Sequence, residues 1–197
     1  MPAGIARISA TNSVLIVVDV QDKLLALISR TPILLLNLSF LLDSAKLLGV
    51  PVLATEQYPK GLGPTSASVS ERLPSPIPEK TAFSCFGAAE FCSQIAGIDR
   101  STAIVVGIET HVCVMQTTLD LLERNFRVAI PVDAVAARGA IDHDTALRRM
   151  ERAGALLTTC ETVVFEWLGS ASSPGFKAAS ALVQERSRRL KELSSTV

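Results

Sequence analysis

The chain has 197 residues, 48% of them hydrophobic, a length and apolar content suited to one domain with a sizeable core. Nineteen Lys and Arg balance nineteen Asp and Glu. No global field therefore draws the chain to a nucleic-acid backbone or an anionic membrane, and neither is an expected partner. Four cysteines without close paired spacing argue for a reducing compartment rather than a disulfide scaffold or a zinc ribbon.

Residues 1–12 read as an N-terminal extension. Residues 1–13 carry one basic side chain, Arg7, and no apolar stretch long enough for a signal peptide, so a cytoplasmic location is expected. The Ser and Thr content and the lack of acids give only thin support to a mitochondrial one. Short β-branched runs then recur between longer helical patterns, at 14–18, 52–55, 103–106, 128–131 and 155–158. Unalternating apolar runs of this kind suit strands buried on both faces. The chain is thus expected to fold as a single α/β domain, a three-layer αβα sandwich around a doubly wound, mostly parallel, Rossmann-like sheet.

Pro32 marks the start of a helix over 33–48, and Gly49 with Pro51 marks its stop. That helix is apolar on more than one face, which suits either deep burial or contact with another subunit. Residues 57–79 are rich in Pro, Gly and Ser and read as a long active-site loop. A helix over 112–124 follows the strand run at 103–106 and the turn after it, and the charged helical pattern at 175–193 is expected on the surface or against a partner. The apolar helix and the loop together offer more apolar surface than a monomer should expose, which predicts a homo-oligomer, a dimer or higher.

Three residues stand at or just after predicted strand ends, where open α/β sheets place ligands. Asp19 closes the run Val14-Leu15-Ile16-Val17-Val18, and its bland alternative is a helix cap. Lys80 closes the proline-rich loop in an apolar setting, and its alternative is a surface lysine. Cys113 falls in the first turn of the 112–124 helix, where the macrodipole and a nearby ammonium favour a thiolate. Its alternative is a small buried hydrophobe, the reading that suits Cys85, Cys92 and Cys160 better.

The phrases Val17-Val18-Asp19-Val20-Gln21, Glu79-Lys80-Thr81-Ala82-Phe83-Ser84 and Gly107-Ile108-Glu109-Thr110-His111-Val112-Cys113-Val114 resemble the three signatures of the isochorismatase-like cysteine hydrolases, in order. The segments 55–63 and 119–124 resemble the small isochorismatase domain-containing proteins. The resemblance implies a catalytic triad in which Cys113 attacks, Asp19 moves the proton and Lys80 orients Asp19. It also implies a non-prolyl cis peptide between Ile108 and Glu109, with the backbone N–H groups of Glu109 and Cys113 facing a developing oxyanion. Gln21, Leu24, Gln57, Phe86 and His111 become candidate pocket residues. Where the nicotinamidase branch has an Asp and two His metal ligands, this chain has Glu56, Gln57 and Tyr58. Its histidines, His111 and His143, lie in other segments, so no metal and no cofactor is expected. Leu24 stands where the aromatic branch often has Phe, which argues against a flat pyridine substrate.

The expected function is a metal-independent hydrolase that cleaves a small-molecule amide, carbamoyl or related C–N bond through a covalent thiol intermediate. A scaffold protein of the same fold is a second reading, and preferential alkylation of Cys113 over the other thiols separates the two. A nucleic-acid-acting hydrolase is a third, and one Trp and one Tyr for base stacking count against it.

Overall fold

Why the chain folds around a sheet is visible in its first strand, whose six residues Ser13–Val18 (β1) are all buried. Leu15 and Val17 enter the apolar layer on one side of the sheet, and Val14, Ile16 and Val18 enter the layer on the other. An unbroken apolar run is what a strand covered on both faces requires. The computed structural model describes residues 7–195, so residues 1–6 of the N-terminal extension lie outside the described residues; Ala10–Asn12 forms a 3-10 turn.

After β1 come the helices α1 (Asp22–Leu25) and α2 (Thr31–Leu48), β2 (Val52–Gln57), the short helices α3 (Pro59–Leu62) and α4 (Ala67–Ser70), and β3 (Glu79–Lys80). Next are α5 (Ala89–Ala96), β4 (Thr102–Ile108), α6 (Met115–Glu123), β5 (Arg127–Pro131), β6 (Val135–Ala136), α7 (Ala140–Arg152) and β7 (Leu156–Thr158). The chain closes with α8 (Cys160–Leu168) and α9 (Phe176–Ser194). The strands form one seven-stranded sheet in the order β3-β2-β1-β4-β5-β7, with β6 on β4, and the named pairings are all parallel. The core contributed by α2, α8 and α9 covers one face and that of α5, α6 and α7 the other, giving the expected three layers.

All five expected strands form, several of them longer than the apolar runs alone indicate. The two-residue strands β3 and β6 are too short to leave a periodic signal. The segment 57–79 is less loop-like than its composition suggests: it contains α3 and α4, and its ends belong to β2 and β3.

The helix expected over 33–48 begins two residues earlier, with Pro32 in its first turn, and ends at Gly49 in the left-handed conformation at φ +68. Its several apolar faces meet the sheet on one side and α8 and α9 on another, so the covering comes from the same chain. Arg186 of α9 fastens this layer. Its guanidinium donates to Asn37 Oδ1 on α2 at 2.7 Å, to Asp133 at 2.8 Å and to Glu161 on α8 at 3.2 Å. The apolar surface of α2 therefore gives no support to oligomerisation, and the charged C-terminal helix is an internal partner of α2.

Sheet order reverses between β1 and β4, because β1 leads away through α2 to β2 and β4 leads the opposite way through α6 to β5. At this switch point Gly107 is in register with Val18. Its φ is +113, and a Cβ there would stand 2.2 Å from the Val18 carbonyl oxygen. Gly107→Ala is expected to destabilise the fold by at least about 1–3 kcal/mol from backbone conformation alone. The clash with β1 adds to that cost, and a urea titration measures the total.

Candidate active site

The turn that follows β1 sets the first functional side chain. Asp19 takes a positive φ of 51, a conformation Asp tolerates better than most residues. Its backbone N–H donates to Thr55 O at 3.1 Å and its carbonyl accepts from Gln21 N at 2.8 Å. The carboxylate thus emerges at the carboxyl end of the sheet beside β2. Lys80 arrives from β3, in register with Gln57, and its ammonium reaches Asp19 Oδ2 at 2.6 Å. The same Nζ lies 2.7 Å from Gln57 Oε1, 2.9 Å from Phe83 O and 3.2 Å from Ala82 O. Four acceptors use all three of its protons.

Cys113 lies in the turn Thr110–Val114 that follows β4 and opens into α6. This turn is π-helical rather than the first turn of an ordinary α-helix. The peptide bond before it, between Ile108 and Glu109, is cis. Flanking side chains hold the turn: Glu109 accepts from Arg138 N and Nε at 3.1 and 3.0 Å. Thr110 Oγ1 pairs with His143 Nδ1 at 2.9 Å. Cys113 Sγ stands 3.9 Å from Gln57 Oε1, and the charge of Asp19 acts on it. Asp19, Lys80 and Cys113 are 0%, 3% and 5% exposed. The structure thus gathers the three residues into one buried cluster.

Burial dominates the electrostatics. It raises the Asp19 carboxyl above its ordinary value even though Lys80, Cys113 and Thr55 all favour the carboxylate. Burial and then the charge of Asp19 push the Cys113 thiol well above its ordinary range, and Lys80 offsets this only in part. Enclosure thus opposes the thiolate that a helix terminus and an ammonium would favour, while Lys80 acts in the expected direction. Burial comes first among the causes, the charge of Asp19 second, and Lys80, already paired with Asp19, acts in the opposite direction. A carboxylate whose proton affinity is raised and a thiol beside it are arranged to exchange one proton when an electrophile arrives.

The candidate pocket residues divide. Gln57 belongs to the cluster. Gln21 braces it: its amide donates to Gln57 O at 3.0 Å and to Gly63 O, and accepts from Gln57 N at 2.8 Å. Leu24 packs into the α2 layer. Phe86 stacks edge-on against Phe91, with Arg124 over its ring. His111 is half-buried and its Nδ1 has no hydrogen-bond partner, so no imidazole hydrogen bond from that atom reaches Cys113. A cavity of about 270 Å³ opens nearby, lined by Arg30, Leu34, Val135, Arg138 and His143 among others, and none of the three clustered residues lines it.

Two members escaped the sequence reading. Thr55 Oγ1 donates to Asp19 Oδ1 at 2.9 Å, and Cys85 Sγ lies 3.3 Å from the same hydroxyl. Thr55 shares a face of β2 with Gln57, and that polar pair at a strand's carboxyl end was the available signal. Among the described residues no group of three or more His, Cys, Asp or Glu is placed to hold a metal ion.

Residues 13–162 match the isochorismatase domain. Isochorismatase domain-containing protein 2A of Mus musculus is 36% identical over 184 residues, covering 93% of this chain and 88% of that protein. The structure of MAR1 ribonuclease from Caenorhabditis elegans is 41% identical with a TM-score of 0.85, covering 91% of this chain and 93% of that one. The YcaC gene product of Escherichia coli, described as an octameric hydrolase of unknown specificity, shares the fold at 22% identity. Its TM-score is 0.86, and the match covers 98% of this chain and 99% of that one. With a domain match that spans all of the sheet and relatives that align along nearly its full length, this chain belongs to the isochorismatase family.

Proposed function

We propose that the protein is a metal-independent cysteine hydrolase that cleaves a small amide, carbamoyl or related C–N bond through a thioester on Cys113. The observation that carries this reading is the buried 2.6 Å pair of Lys80 and Asp19 beside the Cys113 thiol. As Sγ attacks the carbonyl carbon, its proton passes to Asp19. The backbone N–H groups of Glu109 and Cys113 receive the oxyanion, and collapse of the adduct expels the amine, which takes the proton back from Asp19. Water then cleaves the thioester with Asp19 again as base. Lys80 holds Asp19 in place throughout. The near-complete burial of the cluster favours small, uncharged substrates.

A panel of small primary amides and carbamoyl compounds, read by amine or ammonia release and by intact-protein mass, tests this. The expected result is a covalent increment on Cys113 in wild type and loss of both signals in Cys113→Ser. Undiminished turnover in that variant would refute a thiol mechanism.

The C. elegans relative named as a ribonuclease favours a second reading, RNA cleavage. A balanced net charge and a cysteine residue only 5% exposed argue against an RNA backbone reaching this cluster. RNA cleavage by wild type that Cys113→Ser and Asp19→Asn abolish would reverse that choice. We further propose a homo-oligomer, in line with the octameric E. coli neighbour, to be checked by light scattering. A cytoplasmic setting suits four free cysteines.

A further inference from the structure

We propose that Cys85 is a positioning residue which, acting through Thr55, holds Asp19 in the state that accepts a proton. The proposal rests on the acid–base role assigned to Asp19 above.

Asp19 has two carboxylate oxygens and both are occupied. Oδ2 takes a proton of Lys80, and Oδ1 takes the single proton of the Thr55 hydroxyl. A hydroxyl that spends its proton in this way can still accept a hydrogen bond. The group placed to supply one is the Cys85 thiol, 3.3 Å from Thr55 Oγ1. Its S–H fixes the rotor of Thr55 toward Asp19 and strengthens the bond Thr55 donates. The relay can also reverse: once Asp19 carries a proton, it donates to Thr55, which turns its own proton toward Cys85 Sγ. An acid–base residue must be accommodated both charged and neutral, and this pair of side chains serves both.

Cys85 is held for such a task. It is fully buried, and its backbone N–H donates to Thr117 Oγ1 at 3.0 Å. Burial and the charge of Asp19 push its thiol up to about 11, so it remains a donor at neutral pH. The charged or titratable groups that act on Asp19 and Cys85 are Lys80 from β3, Cys113 from the turn after β4, and each other. Neither Lys80 nor Cys113 replaces the donor to Thr55, because the Lys80 protons go to four other acceptors and the Cys113 thiol is directed to Gln57 Oε1. A purely space-filling cysteine would need no hydroxyl beside it.

The test is the pH profile of Cys113 alkylation by iodoacetamide, resolved by peptide mass so that Cys85 does not contribute. Wild type is expected to show an acid limb governed by Asp19, which Asp19→Asn removes. Cys85→Ala should move the midpoint of that limb to higher pH by roughly half a unit, the scale of one weak hydrogen bond. Cys85→Ser, which restores a donor, should return it to the wild-type position. Thr55→Val should shift it further, and adding Cys85→Ala to Thr55→Val should then change nothing more. A Cys85→Ala profile that superimposes on wild type, or a Cys85→Ser shift equal to that of alanine, overturns the role of Cys85 and leaves the Asp19 mechanism standing. An acid limb that survives Asp19→Asn overturns both. If the alanine variant does not fold, the serine variant and the Thr55→Val pair decide by the same criteria.

Discussion

Asp19→Asn is expected to depress turnover by about 10²- to 10⁴-fold while leaving the alkylation of Cys113 at neutral pH as fast as in wild type or faster. The two effects diverge because Asp19 acts on the thiol in opposite ways. As a base it removes the proton during attack on a substrate and returns it to the leaving amine. As a fixed anion it disfavours a thiolate, being one of the causes that raise the Cys113 thiol. Asparagine ends the proton transfer and the repulsion together, while Lys80 remains as a nearby cation. Iodoacetamide needs only the thiolate and expels iodide, which requires no proton, so it reports the second effect alone. Parallel measurement of amide turnover and alkylation separates them. A variant that loses both rates in equal proportion would show that Asp19 is needed to generate the nucleophile itself.

Lys80→Met is expected to cost the fold about 3–5 kcal/mol at neutral pH, the usual consequence of removing one partner from a buried ion pair. The methylene stem is retained, so the loss reports the charge. Asp19 would remain enclosed with no cation and only Thr55 and Cys113 as polar partners. Its carboxyl, already raised by burial, would rise further. A carboxyl whose folded value lies above its unfolded one favours the folded state most fully below the unfolded value, and that benefit disappears as pH climbs through the folded value. The deficit of Lys80→Met should therefore be largest at neutral and alkaline pH and shrink on acidification. Urea titrations at pH 5 and pH 8 measure this difference. Adding Asp19→Asn to Lys80→Met should recover much of the loss, since no buried anion then remains. A deficit that is independent of pH and unaffected by Asp19→Asn would mean that Lys80 matters for packing alone.

The legibility of this chain follows from which information is local. Asp19, Lys80 and Cys113 could be singled out because each sits at the edge of an apolar run or a turn, and strand ends point their residues at a common rim. The five longer strands were legible for the same reason. Thr55 and Cys85 were not, because a Thr on a strand and a Cys after a turn are equally at home in an ordinary core; only the meeting of β2 with the segment after β3 gives them a shared hydrogen bond. Leu24 and Phe86 show the converse. Both are near cluster residues in sequence, yet one faces the α2 layer and the other stacks on Phe91. The state of the Cys113 thiol was also beyond a local reading. It depends on how deeply the turn is enclosed and on the four acceptors that occupy Lys80, and both are products of tertiary packing.

The near-complete enclosure of Cys113 makes the protein a size filter for electrophiles. Bulky maleimides and biotin-bearing iodoacetamides, which serve for surveying cysteines across whole cell extracts, would collide with the walls before their reactive carbon reached Sγ. Such a survey would record the half-exposed Cys92 and score Cys113 as inert. Reagents of a few heavy atoms, neutral and carbonyl-bearing, are the ones expected to reach Cys113. A clickable handle attached through a thin alkyne rather than a preformed tag is accordingly the reporter suited to following this protein in a living cell.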